Sequence, residues 1–446
     1  MKRLATVTFF VGLIGLHLYL PLGARSNVST FRLSNGLRVI LSPVDNIEAA
    51  CVLLYHLTGV RDDPPEVRGG SYLYQNLMLL GTRHLDVYDR VVFIKRWGGT
   101  GNRMVTYDRS IFYQVIPEFE INNALWLESE RIGSLKLTDR SITLEKNQVY
   151  TKNYRSLHSN VEFRAMRWME SRVFEGSIYE MPVYGNLEEV RKFNNQAIKK
   201  LYNNFKDLSK IIMVITGKFD GEELKKSIIK HFGGLSSPTP AKTAREKYPS
   251  INPRTTYVFD NWLVANLQEP FVLYGIRTPS KFSKDYLYFD FIRSYLVDPR
   301  ISKLEKVLNK DNRLNAAISH HYTDHFASNA LIIKISAKPR ANLERAKYFV
   351  NKELAALQKG RPGTISNTEV KVTKSLMEID FMKKMSKLEE RSIFLAENYH
   401  ISGQLDTEEK YLKDIRSISV YDIYRVARKY LEKNNRVNLN VYSKQQ

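Results

Sequence analysis

Cysteine is almost missing from this chain. Cys51 is the single thiol in 446 residues, so no disulfide can form within the chain. It lies in the apolar run Ala49–Leu54 and reads as a packed core thiol, because a catalytic thiolate needs an electropositive, partly exposed setting. Acid is short relative to base: 47 Asp and Glu face 68 Lys and Arg, a formal net charge of +21. The basic residues are spread along the whole length and form no basic-aromatic signature, so nucleic acid is not an expected partner. The excess charge suits acidic peptides or anionic lipid, or is no more than a set of solvated lysine faces. Histidine numbers only nine, with one cluster, His320-His-Tyr-Thr-Asp-His325. On a strand, His321 and His325 share a face but stand too far apart for one metal, and the cluster reads as a solvated turn. Gly98-Gly-Thr-Gly101 lacks the Lys-Ser/Thr that would make it a phosphate loop.

Apolar material is plentiful, at 43% of residues with 11% aromatic, and the length fits two to three domains. Lys2 and Arg3 precede an apolar stretch over residues 4–22, followed by Leu22-Gly23-Ala24, which reads as an export signal over residues 1–24 with cleavage after Ala24. The alternative is an uncleaved membrane anchor over the same stretch, since it is almost long enough to span a bilayer. No other segment is long and apolar enough to cross a membrane, so the body is expected to be exported, periplasmic or extracellular.

The rest divides into a first repeat over residues 28–235, a linker over 236–253 rich in Pro, Ser and Thr, and a second repeat over 254–446. Each repeat puts strands early, helices later and a strand near its end. That order predicts an α+β fold of two similar halves, each a mostly antiparallel sheet packed by helices, and a duplication of about 200 residues.

Several local patterns together resemble the pitrilysin/insulinase-type metallopeptidases, which include the mitochondrial processing peptidases. They are Gly59-Val-Arg-Asp-Asp-Pro, the helix Gly69-Gly-Ser-Tyr-Leu-Tyr-Gln-Asn-Leu-Met-Leu-Leu-Gly-Thr82, the hairpin Trp97-Gly-Gly-Thr-Gly-Asn102 with Thr106, Asp108 and Phe112-Tyr113, and the helix Leu125-Trp-Leu-Glu-Ser-Glu-Arg131. The resemblance implies two halves facing each other around a peptide-sized cavity. It also implies zinc as cofactor, bound through an inverted H-x-x-E-H motif in which two imidazoles one turn apart hold the metal and the glutamate serves as base.

Here the corresponding positions are Tyr72, Gln75 and Asn76, and the third ligand, carried on Glu145-Lys-Asn-Gln-Val149-Tyr-Thr-Lys-Asn153, becomes Asn153. A phenol and carboxamides are poor zinc donors, and Gln75 cannot take a proton from water. Lys146 replaces a further acid and is expected to bring positive charge to the metal position. The family's substrate-holding Arg and Tyr correspond to Asn309 and Ala316. No catalytic residue, metal or cofactor is therefore expected. The edge strand carrying Asn102, Arg103, Met104, Val105 and Thr106 remains as a candidate peptide-binding edge, since main-chain pairing needs no catalytic side chain. Arg103 replaces a small residue there, which would block the groove or favour acidic peptides.

The expected function is a non-catalytic peptidase-like protein that partners an active zinc peptidase of the same family or binds extended peptides. Two alternatives stand beside it: an active zinc metalloendopeptidase with unrecognised ligands, and a structural component of an envelope assembly.

Overall fold

The computed structural model describes residues 28–237, 248, 251–311, 313–361, 363–405 and 408–444. The expected export signal, and most of the expected linker, lie outside the described residues.

The first half runs β1 (Ser29–Arg32), β2 (Arg38–Pro43), β3 (Ala49–His56), α1 (Gly70–Leu77), α2 (Asp89–Arg96), β4 (Thr100–Val105), β5 (Ser110–Pro117), α3 (Ile121–Gly133), α4 (Asp139–Ser159), α5 (Val161–Val173), α6 (Leu187–Val190), α7 (Asn195–Phe205), β6 (Ile211–Gly217) and α8 (Gly221–Phe232). The second runs β7 (Val258–Val264), β8 (Phe271–Thr278), α9 (Asp285–Val297), α10 (Lys303–Asn309), β9 (Ala316–Tyr322), β10 (Asn329–Ala337), α11 (Arg340–Lys359), α12 (Asn367–Met385), α13 (Leu388–Ser402), α14 (Glu408–Ser417), α15 (Val420–Tyr430) and β11 (Arg436–Ser443).

The two sheets repeat one topology. The first has the order β1-β2-β6-β3-β5-β4 and the second β7-β11-β8-β10-β9. Without β1, each sheet reads first strand, last strand, second, fourth, third, with one parallel pair (β2 with β6, β7 with β11) and antiparallel pairs elsewhere. The α+β class and the mostly antiparallel sheets match the sequence expectation, and β4 and β9 are equivalent edge strands.

Both faces of each sheet are apolar, and strand alternation sorts their side chains. In the first sheet Val39, Leu41, Val52, Leu54, Met213 and Ile215 face α3 and α8, while Ile40, Cys51, Leu53, Tyr55, Ile212 and Val214 face Leu388, Leu395 and Ala396 of α13. In the second sheet Val272, Tyr274 and Ile276 face helices of the same half, while Phe271, Leu273, Ile332 and Leu439 face Ala165, Met169 and Val173 of α5. Each half thus lends one helix to the far face of the other's sheet. Gly275 lets α5 come close: a Cβ there would stand 2.3 Å from Met169 Sδ and 2.5 Å from Val173 Cγ2. Cys51 is fully buried at the α13 contact, and burial pushes its thiol up to about 12, as an inert core cysteine requires.

Candidate functional site

Helix α1, which carries Tyr72, Gln75 and Asn76, is fixed at its start by Asp63. This carboxylate accepts the Gly69 N–H at 3.0 Å and the Ser71 N–H at 2.9 Å, and also takes the Ser71 hydroxyl. Gly69 turns into the helix at φ +101°, and a Cβ there would meet Gly185 N at 2.6 Å. Leu73, Tyr74 and Leu77 bury the opposite stripe, so Tyr72, Gln75 and Asn76 are left half-buried on the outer one.

Three elements meet at Asn76. Its Nδ2 donates to Glu145 Oε1 of α4 at 2.7 Å, and its Oδ1 accepts from Arg103 Nη2 of β4 at 2.9 Å. Burial pushes the Glu145 carboxyl above its usual range, against the hydrogen bond from Asn76 and the charge of Arg103. Burial, with Glu145 beside it, likewise raises the Tyr72 phenol.

Zinc does not fit this donor set. The cluster offers one carboxylate, one phenol held protonated and a carboxamide whose oxygen already binds a guanidinium. A dication placed there would face the Arg103 charge directly. Among the described residues, no three His, Cys, Asp or Glu side chains come together as a metal site.

Two site residues sit differently from expectation. Lys146 does not bring its charge to α1. Its Nζ donates to Phe193 O at 2.8 Å and Asn195 Oδ1 at 2.9 Å, so it serves the loop between α6 and α7, and the cation beside Asn76 is Arg103. Asn153 is buried, and its Nδ2 donates to Val149 O within its own helix at 2.8 Å. The α4 acid that meets α1 is Glu145, which sequence reasoning quoted within the downstream motif without giving it a role. Asn309 ends α10 and Ala316 begins β9, both on the second half and on none of the three elements that meet at Asn76.

Strand β4 contains Asn102, Arg103, Met104 and Val105, and among the described residues it pairs only with β5, from Thr100↔Val115 to Val105↔Ser110. Thr100, Gly101, Asn102 and Met104 are exposed and Val105 is buried. The Arg103 N–H is covered locally by Asn102 Oδ1 at 2.8 Å. Thr106 lies one residue past the strand and binds its own turn, its hydroxyl donating to Arg109 O at 2.9 Å. Asp108 in that turn accepts the Tyr179 hydroxyl at 2.9 Å and the Phe326 N–H of the second half at 2.8 Å. Next to it Arg109, fully buried, pairs with Asp324 and with Glu397 at 3.0 Å, which Lys281 also holds at 2.9 Å. The motif residues beyond β4 therefore lock the two halves together.

The histidine cluster is not a solvated turn. His320 and His321 lie on β9, and His325 is packed among Tyr179, Tyr107 and Phe174 at ring separations of 4.4, 4.9 and 5.2 Å. Burial drops His325 to about 3, so it is neutral at ordinary pH.

At the junction of the halves a cavity of about 670 Å³ is lined by Arg109 and by second-half residues including Asp324 and Glu397, but not by α1.

Residues 192–377 match the family profile described as Peptidase M16 inactive domain. The chain is 21% identical over 409 residues to the Zinc protease PqqE of Helicobacter pylori, an alignment covering 90% of this chain and 89% of that one. Among solved structures, a protease from Helicobacter pylori superposes with a TM-score of 0.80 at 19% identity, covering 94% of this chain and 100% of the other. The first half of the periplasmic protease PqqL from Escherichia coli superposes at 0.73 and 14% identity, covering 93% and 91%. In sequence profile, relatives and fold alike, this chain is similar to the insulinase-type, M16 peptidases.

Proposed function

We propose that this protein is a non-catalytic member of its family that binds extended peptides along β4, alone or as the partner of an active relative, with no zinc of its own. The observation that carries the reading is an exposed edge strand lying beside a helix whose motif positions hold Tyr72, Gln75 and Asn76. An edge strand offers main-chain donors and acceptors to any extended chain, and pairing of that kind is indifferent to the loss of metal ligands. Glu145 alone does not replace the lost chemistry, because Asn76 holds it and a guanidinium stands beside it. Its place is outside the cytoplasm, in keeping with the signal-like N-terminal sequence and with the periplasmic description of its Escherichia coli structural neighbour.

The test combines three measurements on purified protein: zinc by elemental analysis, cleavage of an unstructured peptide with and without chelator, and hydrogen exchange of Gly99–Val105 with and without that peptide. Slower exchange in β4, with the peptide recovered intact and no stoichiometric zinc, is the expected result. Chelator-sensitive cleavage by the lone chain would restore the zinc-enzyme reading. Unchanged exchange with every peptide would leave an envelope scaffold role.

A further inference from the structure

Beneath β4 lies a cavity of about 310 Å³ whose lining is unlike that of a plain hydrophobic pocket. Leu79, Val91 and Ile94 form an apolar wall, Gln114 lies across it, and Arg90, Glu128 and Arg131 close one end. Arg90 Nη1 binds Glu128 Oε1 at 2.6 Å, and Arg131 Nη2 takes the other oxygen of the same carboxylate. Two buried guanidinium groups therefore share one buried carboxylate, and Arg103 and Lys95 add two more cations at the rim.

Donors outnumber acceptors in the same way. Arg131, 3% exposed, keeps a buried donor without a partner among the described residues, its Nε, and Arg103 Nε is in the same condition, against one unpartnered acceptor, Gln114 Oε1. Buried groups of this kind are rare in folded proteins and point to something absent that binds them. Burial without full compensation holds the Arg131 guanidinium down to about 9, a cost that an added anion would relieve.

The cavity opens at β4. Gly101 stands opposite Gln114 and Arg103 opposite Phe112, which puts both on the α1–α3 face of the sheet. Gly99 and Gly101 line the opening and offer no side chain to close it. A strand added to β4 alternates its side chains, and one that falls beside Gly101 on this face points into the cavity. Its methylene groups would lie on Leu79, Val91 and Ile94, and its end would reach the arginines.

We propose that this cavity is a subsite for the carboxylate side chain of an Asp or Glu in a peptide paired along β4. The inference rests on the reading of β4 as a peptide-binding edge and gives that edge a preference. A glutamine of the same shape would occupy the space and leave the excess charge uncompensated, so the preference is for the charge and not for size.

The probe is a set of labelled extended peptides identical except for Glu, Gln or Leu at one scanned position. Affinity is read by fluorescence anisotropy and location by hydrogen exchange in β4. At one position the Glu peptide is expected to bind at least about tenfold tighter than its Gln counterpart. Val91→Trp, which fills the cavity from a half-exposed helix position, should abolish that ratio while the Leu peptide still protects β4. Lys95→Glu, on the exposed rim, should reduce the ratio several-fold. Equal binding of Glu and Gln peptides with β4 protected, or an unchanged ratio in Val91→Trp, overturns the acidic subsite and leaves the edge reading standing. If no peptide protects β4, both fall.

Discussion

At the scale of the residue, the notable substitution is one outside the zinc motif. On the proposed reading Tyr72, Gln75 and Asn76 stand in place of metal donors, and Arg103 sets a cation 2.9 Å from Asn76 Oδ1 and next to the Glu145 carboxylate. A guanidinium cannot lose its charge at neutral pH, so it opposes a dication more firmly than an empty site would. Putting back the helix side chains alone should therefore fail. The triple variant Tyr72→His, Gln75→Glu, Asn76→His is expected to carry substoichiometric zinc after dialysis, and adding Arg103→Ala, with Glu145 free as third donor, should raise it towards one equivalent. Elemental analysis decides this. Equal zinc in both variants would show that Arg103 is a bystander. That Tyr72, Gln75 and Asn76 share one outer stripe of α1 was legible in the sequence because helical spacing is fixed. The role of Arg103 was only half legible: its replacement of a small residue stood out, but not the partner it would find.

At the scale of the element, boundaries follow local caps and pairing. Helices α6 and α7 are separate because the Asn194 side chain accepts the Gln196 and Ala197 N–H groups and starts a new helix. Helix α2 carries no sequence start signal, because its cap is Tyr88, a non-glycine in the left-handed region at φ 78°. Strand β7 begins at Val258, where pairing with Val437 of β11 starts. The exchanged helices give this scale its prediction. Gly275→Val places carbon where Met169 and Val173 already lie, and overpacking of that kind costs about 1–3 kcal/mol. Urea unfolding should show the loss. A variant as stable as the parent would mean that α5 does not pack tightly on the second sheet.

At the scale of the whole molecule, the halves are held together by crossed helices and by buried polar groups, and two buried histidines, one at the junction and one inside the first half, make the fold sensitive to acid. His325 sits in its aromatic box at the junction of the halves and His56 is fully buried between Phe112 and Phe205. Burial drops both to about 3, against about 6.5 for an unfolded histidine. The unfolded chain therefore binds more protons, so the stability these histidines allow is fully present above pH 6.5 and is lost as pH falls towards 3. At pH 5 the loss is about 2 kcal/mol for each. Denaturant unfolding at pH 7 and pH 5 should show it, and His56→Phe should flatten the slope by about half. No change in slope in that variant would mean that His56 is not buried neutral.

The sequence by itself determined the duplication and the α+β order of elements, because these follow from local periodicity. Only the tertiary structure decided what faces what. On α4, Glu145, Val149 and Asn153 follow one another at four-residue intervals along one stripe, and sequence names the stripe. Which of them stands level with Asn76 depends on how far α4 slides against α1. Glu145 and Asn153 are eight residues apart, about 12 Å along the helix, and which of them stands level with Asn76 is set by core packing rather than by pattern. Lys146 is one residue from Glu145 and about 100° around the helix, enough to turn its charge away to the loop between α6 and α7. The exchange of α5 and α13 was hidden for the same reason: an amphipathic helix records that it needs an apolar face to cover, not whose.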